Sequence, residues 1–113
     1  MPRVSIPITQ VVQEGVAPPA QTNADAANDH QLDFNDGRVL LEVVSTDAGA
    51  QSVTVVTPGQ QSGLGVADLV VSVPAGATRL MGPFSPGTFN NADGTVYIDT
   101  TVSTTLKFRA YHL

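Results

Sequence analysis

Ten carboxylates and two histidines are the side chains of this chain that could carry acid–base or metal chemistry. Four of the acids fall within residues 25–36, around His30; they are Asp25, Asp29, Asp33 and Asp36. Calcium prefers such oxygen ligands, but Gly37 stands where the EF-hand pattern needs its third oxygen, and no Glu follows at the bidentate position. Two interpretations of this segment stay open. It could form a calcium site of another kind, or it could be a solvated loop whose Asp and Asn side chains bond to nearby backbone.

The two histidines, His30 and His112, do not form a pair at metal-ligand spacing. Zinc takes three or four ligands, and with no cysteine in the chain carboxylates would have to complete the set. His112 is next to the last residue and is expected to be exposed. We therefore predict no metal, no cofactor and no catalytic role for either histidine.

Other catalytic motifs are weak or missing from the sequence. Any two acids could form the carboxylate pair of a glycosidase, but nothing singles out a pair. Glu42 lies in an apolar run and is interpreted as an ion-pair partner of Arg38 or Arg79, at a sheet edge or between subunits. The Gly-rich residues 59–65 lack the Gly-Lys-Ser/Thr ending of a phosphate loop, and no Gly-x-Ser-x-Gly elbow occurs. The sequence predicts a protein that is not an enzyme.

Composition narrows the class of partner. The net charge is −5 and the five cations are scattered, which argues against nucleic acid as a partner. No polybasic or amphipathic segment indicates binding to a membrane surface. No apolar run resembles the core of a signal peptide or a membrane-spanning segment. Only 13% of residues are charged, which suits a surface packed against other subunits, although many all-β domains have this composition. Without cysteine, we expect synthesis in a reducing compartment or stability from packing and assembly.

Alternating apolar and polar residues predict strands along most of the chain. The clearest run is 106–111, where Leu106, Phe108 and Ala110 face one way and the residues between them face the other. Turn signals at short, regular spacing separate seven or eight such runs, with no helical crossover, so we expect mainly antiparallel pairing. The prediction is an all-β, antiparallel β-sandwich of jelly-roll type, with a small β-barrel as second choice.

The domain prediction is one β-sandwich over residues 1–113, with residues 1–30 as a strand plus an extended arm. Val4, Ile6 and Ile8 share one face of that first strand, and Pro7 indicates an edge position because it lacks an amide hydrogen. In the irregular residues 10–36, a single helical turn capped by Asn23 and a long ordered loop are both open. Farther along, Leu80, Gly82 and Phe84 are expected to share one side of the chain, opposite Arg79 and Met81.

Several stretches together resemble small structural proteins of tailed bacteriophages, especially those that infect actinobacteria. They are Arg3-Val-Ser-Ile-Pro-Ile-Thr9, Gly15-Val-Ala-Pro-Pro-Ala20, Asn35-Asp-Gly-Arg-Val39, Val53-Thr-Val-Val-Thr-Pro-Gly59, Val73-Pro-Ala-Gly-Ala-Thr78, Gly82-Pro-Phe84 and Leu106-Lys-Phe-Arg-Ala-Tyr-His-Leu113. The resemblance implies a capsid decoration (cement) protein, or another head, connector or tail component. It implies a homo-oligomer, such as a trimer, that binds the major capsid protein on the virion surface after synthesis in the host cytoplasm.

The expected contact residues follow from that role and from the arm. They are Arg3, Val4, Ile6, Pro18, Pro19, Leu64 and Met81. For Leu64 and Met81, the alternative to a contact role is ordinary packing within a loop or the core. A second function stays open, a small carbohydrate-binding or host-recognition module in which Tyr97 and Tyr111 point outward as sugar platforms.

Overall fold

The computed structural model describes residues 3–58, 60–61, 64–65 and 67–113, and for 60–61 and 64–65 it describes the backbone alone. Strands make up 42% of the chain and helix 4%. The strands are β1 Val4–Ser5, β2 Ile8–Gln10, β3 Thr22–Asn23, β4 His30–Leu32, β5 Val39–Ser45, β6 Gln51–Val55, β7 Gln60–Gln61, β8 Leu64–Gly65, β9 Leu69–Val73, β10 Thr78–Met81, β11 Val96–Thr100 and β12 Leu106–His112. One helical turn, α1, covers Pro86–Phe89.

Two packed sheets confirm the predicted sandwich. Sheet A has the strand order β1-β4-β11-β6-β9, and sheet B has the order β10-β5-β12-β2, with β3 also paired to β12. From β3 onward the main chain alternates between the sheets, except that β6 and β9 are neighbours in sheet A. This is the connectivity of a jelly roll. Strands β7 and β8 pair with each other as a separate small ribbon.

Strict alternation along the longest strands builds the core between the sheets. In β5 and β11, and in β12 as far as Ala110, every second residue is buried, as the two-residue period of a pleated strand requires. The fully buried side chains include Leu41, Val53, Ile98, Leu106 and Phe108. Strand β5 pairs with β10 on one side and β12 on the other, which confirms the prediction of a central strand over 39–44.

The first predicted strand is divided between the two sheets. Val4–Ser5 pairs with β4 in sheet A, and Ile8–Gln10 pairs with β12 in sheet B, in parallel in both cases. Both pieces lie at a sheet edge in the strand order, as Pro7 indicated. Burial along the segment still follows the predicted shared face. Ile6, at the crossing point, is fully buried with 1% of its surface exposed, Val4 and Ile8 are half-buried, and Ser5 and Pro7 between them are exposed.

The side predicted to be shared by Leu80 and Phe84 is wrong, because Phe84 is buried whereas Leu80 is exposed. Met81 pairs with Leu41 of β5 and is buried, whereas Leu80 pairs with Glu42 and is 66% exposed. Cross-strand partners share a face, so the burial of Leu41 determines which side of β10 turns inward. The predicted helical turn does occur, but its cap is Asp25, whose Oδ1 accepts the backbone N–H groups of Ala27 and Asn28.

Candidate functional site

The outer faces of the two sheets differ in chemistry. Parity and register place Tyr97, Asp99 and Thr54 on the outside of sheet A, where the prevailing groups are polar and Val70 is an exposed apolar side chain. On the outside of sheet B, apolar side chains stand around one ion pair. We call them the apolar face, defined by Leu40, Val44, Leu80 and Tyr111. An apolar cluster on an outward sheet face is unusual in a monomer, because that face normally meets water.

The ion pair at the centre of the apolar face joins Glu42 of β5 to Arg109 of β12. Arg109 Nη1 lies 2.9 Å from Glu42 Oε1, and both side chains are largely covered. The interpretation of Glu42 as a partner of Arg38 or Arg79 is therefore wrong. The two residues are 67 positions apart in the chain and meet because β5 and β12 pair in that register.

Beside the apolar face, residues 11–21 leave the sheet as an arm between β2 and β3. Arg109 Nε donates to Pro19 O at 3.0 Å, so the ion pair also holds the base of the arm. Val11, Val12 and Val16 are 38%, 43% and 41% exposed. Glu14 is the arm's one charged residue. The arm thus presents apolar side chains to solvent.

The seven expected contact residues are dispersed in the structure. Pro18 is exposed on the arm and Pro19 is half-buried at its base, while Arg3 and Val4 lie half-buried on the edge of sheet A. Ile6 and Met81 belong to the core, with 1% and 6% exposed, so they are packing residues instead of contact residues. The side chain of Leu64 lies outside the described residues. The sequence analysis did not identify the apolar face. The pattern that indicates it is the presence of apolar residues at the outward-facing positions of β5 and β10.

A cleft opens at the β2 edge of sheet B, next to the start of the arm. Its volume is about 420 Å³. Ile6, Pro7, Ile8, Gln10, Asp33, Phe34 and His112 line it. Phe34 is 48% exposed and lies against the His112 ring, with 5.5 Å between ring centroids. A cleft of this size with apolar walls and a few polar groups has the dimensions of a ligand site.

Polar groups around the cleft are held in place by hydrogen bonds. His112 Nδ1 is 2.6 Å from Gln10 Oε1, and His112 Nε2 is 2.9 Å from Asp36 Oδ2. This hydrogen bond lowers the pKa of Asp36 below its ordinary value of 3.8. Asp33 Oδ1 accepts from Ser5 Oγ at 2.8 Å and from Gln31 Nε2 at 2.6 Å. His112 therefore forms part of the cleft wall, where hydrogen bonds hold its ring in place. Its side chain is half-buried, so the expectation that it is exposed is wrong.

The other histidine, His30, is a structural residue. It has no exposed surface, its Nε2 accepts the Asp25 N–H at 2.9 Å, and its Nδ1 lies 3.2 Å from Val4 O. Both bonds are satisfied when the ring is neutral with its proton on Nδ1. Burial lowers the pKa of His30 below 6.5, so the neutral form is favoured.

The acidic loop that left a calcium site open is bonded to its own surroundings. Asp25 accepts from the turn that it caps, a set of hydrogen bonds that lowers its pKa, and Asp29 Oδ1 accepts the Thr100 N–H at 3.0 Å. In the described part of the chain, no three His, Asp or Glu residues are arranged to hold a metal ion. The solvated-loop alternative therefore fits the observed bonds.

Tyr97, the first sugar platform considered, is covered. The Arg3 guanidinium lies 4.0 Å from the centre of the Tyr97 ring and also bonds Asp99 at 2.6 Å. This stacked cation occupies the ring face that a sugar would need. Tyr111, the second, is half-buried on the apolar face.

Comparison with known proteins identifies no relative of this chain. No protein-family model, curated protein or solved structure matches this chain. Within the described residues, no helix has the length and apolar character needed to cross a membrane.

Proposed function

We propose that this chain is a non-enzymatic structural protein of a bacteriophage particle, a decoration protein that binds and stabilises the capsid shell. The observation that carries the proposal is the difference between the two outer faces. The apolar face and the arm form a surface suited to burial against neighbours, while the polar outside of sheet A is suited to water. The resemblance to phage structural proteins supplies the kind of assembly.

Physical arguments support such a role for this fold. A protein that binds only the assembled shell stabilises it by mass action, and needs rigidity and contact area instead of a reactive group. The jelly roll supplies rigidity through a core that extends across both sheets. The arm supplies reach, since an extended apolar segment can lie in a groove or add to a sheet edge of a neighbour.

Leu80→Asp is expected to abolish binding to the shell, because Leu80 is the most exposed large apolar side chain of the apolar face. Burying an unpaired carboxylate at an interface carries a large desolvation cost, so we expect binding to weaken by about 100-fold or more. The measurement is co-sedimentation of the purified protein with expanded heads of the phage that encodes it. Val70→Asp is the matched control, since Val70 is 59% exposed on the outside of sheet A. Equal loss in both variants, or no loss in Leu80→Asp, contradicts the proposal.

Replacement of residues 11–21 by a six-residue Gly-Ser linker tests the arm separately. Gln10 pairs with His112 and Thr22 with Phe108, four residues apart on β12, so the linker must span about 13 Å. Six residues reach that distance without strain, so β2 and β3 keep their places. We expect cooperative thermal unfolding to persist while binding to heads falls at least tenfold. Undiminished binding removes the arm from the interface, and loss of cooperative unfolding makes it part of the folded core.

A further inference from the structure

We infer that the cleft at the β2 edge receives a cationic side chain, an arginine, from the protein to which this chain binds. The inference deepens the proposed function and depends on it for its biological role, because it names the chemistry of the partner at one point of contact. It depends on the lining of the cleft, which offers acceptors and an aromatic face.

The donors around the cleft are already used. Gln10 Nε2 donates to Val11 O and His112 O, and both His112 ring nitrogens lie against acceptor oxygens. Ser5 Oγ and Gln31 Nε2 donate to the Asp33 carboxylate. A ligand that needs hydrogen-bond donors from the protein, such as a phosphate or a carboxylate, therefore finds none of these groups available.

The Asp33 carboxylate, in contrast, still has a hydrogen-bond acceptor to offer. Both described bonds to Asp33 go to its Oδ1, and its Oδ2 accepts none from the described residues. The two donors hold the carboxylate in one orientation, so an incoming donor meets an acceptor that is already positioned. Arg38, the nearest cation along the chain, does not line the cleft. His112, which also lines the cleft, is paired with Asp36 at 2.9 Å, whereas the ion pairs of the described residues give Asp33 no partner. The Asp33 carboxylate is therefore the group that an incoming cation would meet.

Phe34 supplies the second half of the recognition. An exposed phenylalanine ring attracts cations to its face, and Pro7 and Ile8 supply apolar surface for an aliphatic stem. Arginine combines such a stem with a planar group of five N–H donors and no acceptor. Its side chain therefore matches the cleft in shape, charge and hydrogen-bonding sense. A saccharide matches less well, because its hydroxyl groups also need donors.

The test uses the full chain and a short peptide, acetyl-Gly-Arg-Gly-amide, followed by ¹H–¹⁵N NMR. We expect saturable shifts at Gln10, Phe34 and His112, and binding weaker by about two- to fivefold for the same peptide with citrulline, which keeps the shape but removes the charge. Asp33→Asn and Phe34→Ala are each expected to weaken binding of the arginine peptide by about two- to fivefold. Asp68→Asn is the matched control, since it removes one exposed carboxylate beside β9, at the opposite edge of sheet A from β1, and should leave binding unchanged.

Three results overturn the inference. They are equal binding of the arginine and citrulline peptides, shifts that fall outside the cleft, and shifts at the cleft from neutral sugars but not from the arginine peptide. The ¹H–¹⁵N spectrum of each variant also reports whether it is folded. Because the peptide is tested on the isolated protein, failure here leaves the head-binding experiment unaffected. A protein that binds the peptide but no capsid contradicts the proposed function alone.

Discussion

Gly82→Ala is expected to destabilise the protein by about 3 kcal/mol or more. Gly82 has φ +111°, a conformation that L side chains rarely adopt, and strain of this kind costs about 1–3 kcal/mol. A Cβ at this position would also lie 2.8 Å from Val39 O, inside van der Waals contact. Val39 is a buried residue at the start of the central strand β5, so its backbone cannot move without disturbing the sheet.

Urea unfolding of the Gly82→Ala protein is the measurement, and a fall in melting temperature of roughly 10–20 °C should accompany it. Gly87→Ala is the matched control. Gly87 lies in α1, its φ is not in the left-handed region, and an added Cβ meets nothing within 4 Å. Alanine is favoured over glycine in a helix, so this variant should be neutral or slightly more stable. Equal stability of the two variants would show that the Gly82 backbone adjusts without cost.

Acidification from pH 7.5 to 5.0 is expected to destabilise the protein through His30. Burial lowers the pKa of His30 in the folded state, whereas in the unfolded chain it titrates near 6.5. Between these two values the unfolded state binds more protons, so stability rises with pH, and the contribution of neutral His30 is lost as pH falls below 6.5. The slope can reach about 1.4 kcal/mol per pH unit until the folded pKa is passed.

The groups that face the His30 ring do not reverse that sign. Asp25 and Asp29 favour the protonated ring and Arg3 opposes it, but burial is the largest influence. Protonation would also remove the acceptor for the Asp25 N–H. Release of the turn at Asp25 and of strand β1 is therefore the expected first step of acid unfolding.

The measurement is the free energy of unfolding in urea at pH 7.5, 6.5, 5.5 and 5.0. The His30→Gln variant should be less stable than the wild type at pH 7.5, and above pH 5 its free energy of unfolding should depend little on pH. His112→Gln is the control, and its free energy of unfolding should keep the pH dependence of the wild type. The carboxylates whose pKa is lowered by hydrogen bonds, among them Asp25, Asp36 and Asp93, contribute a separate loss as pH falls below 3.8. A wild-type protein equally stable at 5.0 and 7.5 would contradict the account of His30.

Much of the fold could be predicted from local pattern. The alternation in residues 106–111 identified β12, the apolar residues of 39–44 identified a central strand, and Pro74-Ala-Gly76 identified a turn, closed by the Ala77 N–H on Pro74 O. These features depend on a few neighbouring residues. Errors occurred where partners decide the outcome: Leu80 and Phe84 were placed on one side of the chain, and the first strand was not predicted to change sheets.

The site was less predictable than the fold. Pro18 and Pro19 were expected on an arm and lie between β2 and β3, the first exposed and the second half-buried. The cleft and the apolar face, in contrast, combine residues from distant parts of the chain. Glu42 and Arg109 are 67 residues apart, and Gln10 and His112 are 102 apart. No local pattern indicates which distant residue will occupy the facing position on the next strand.

By itself, the amino-acid sequence determined that this protein is built of strands, where its turns fall and that it has no cysteine chemistry, because backbone alternation and turn preference act over a few residues. Only the tertiary structure decided which strands are neighbours, and therefore which sheet has an apolar outside, which histidine is buried and which side chains surround the cleft. Those outcomes follow from burial and register across the whole chain, since shifting one strand by a single residue would exchange its inner and outer faces.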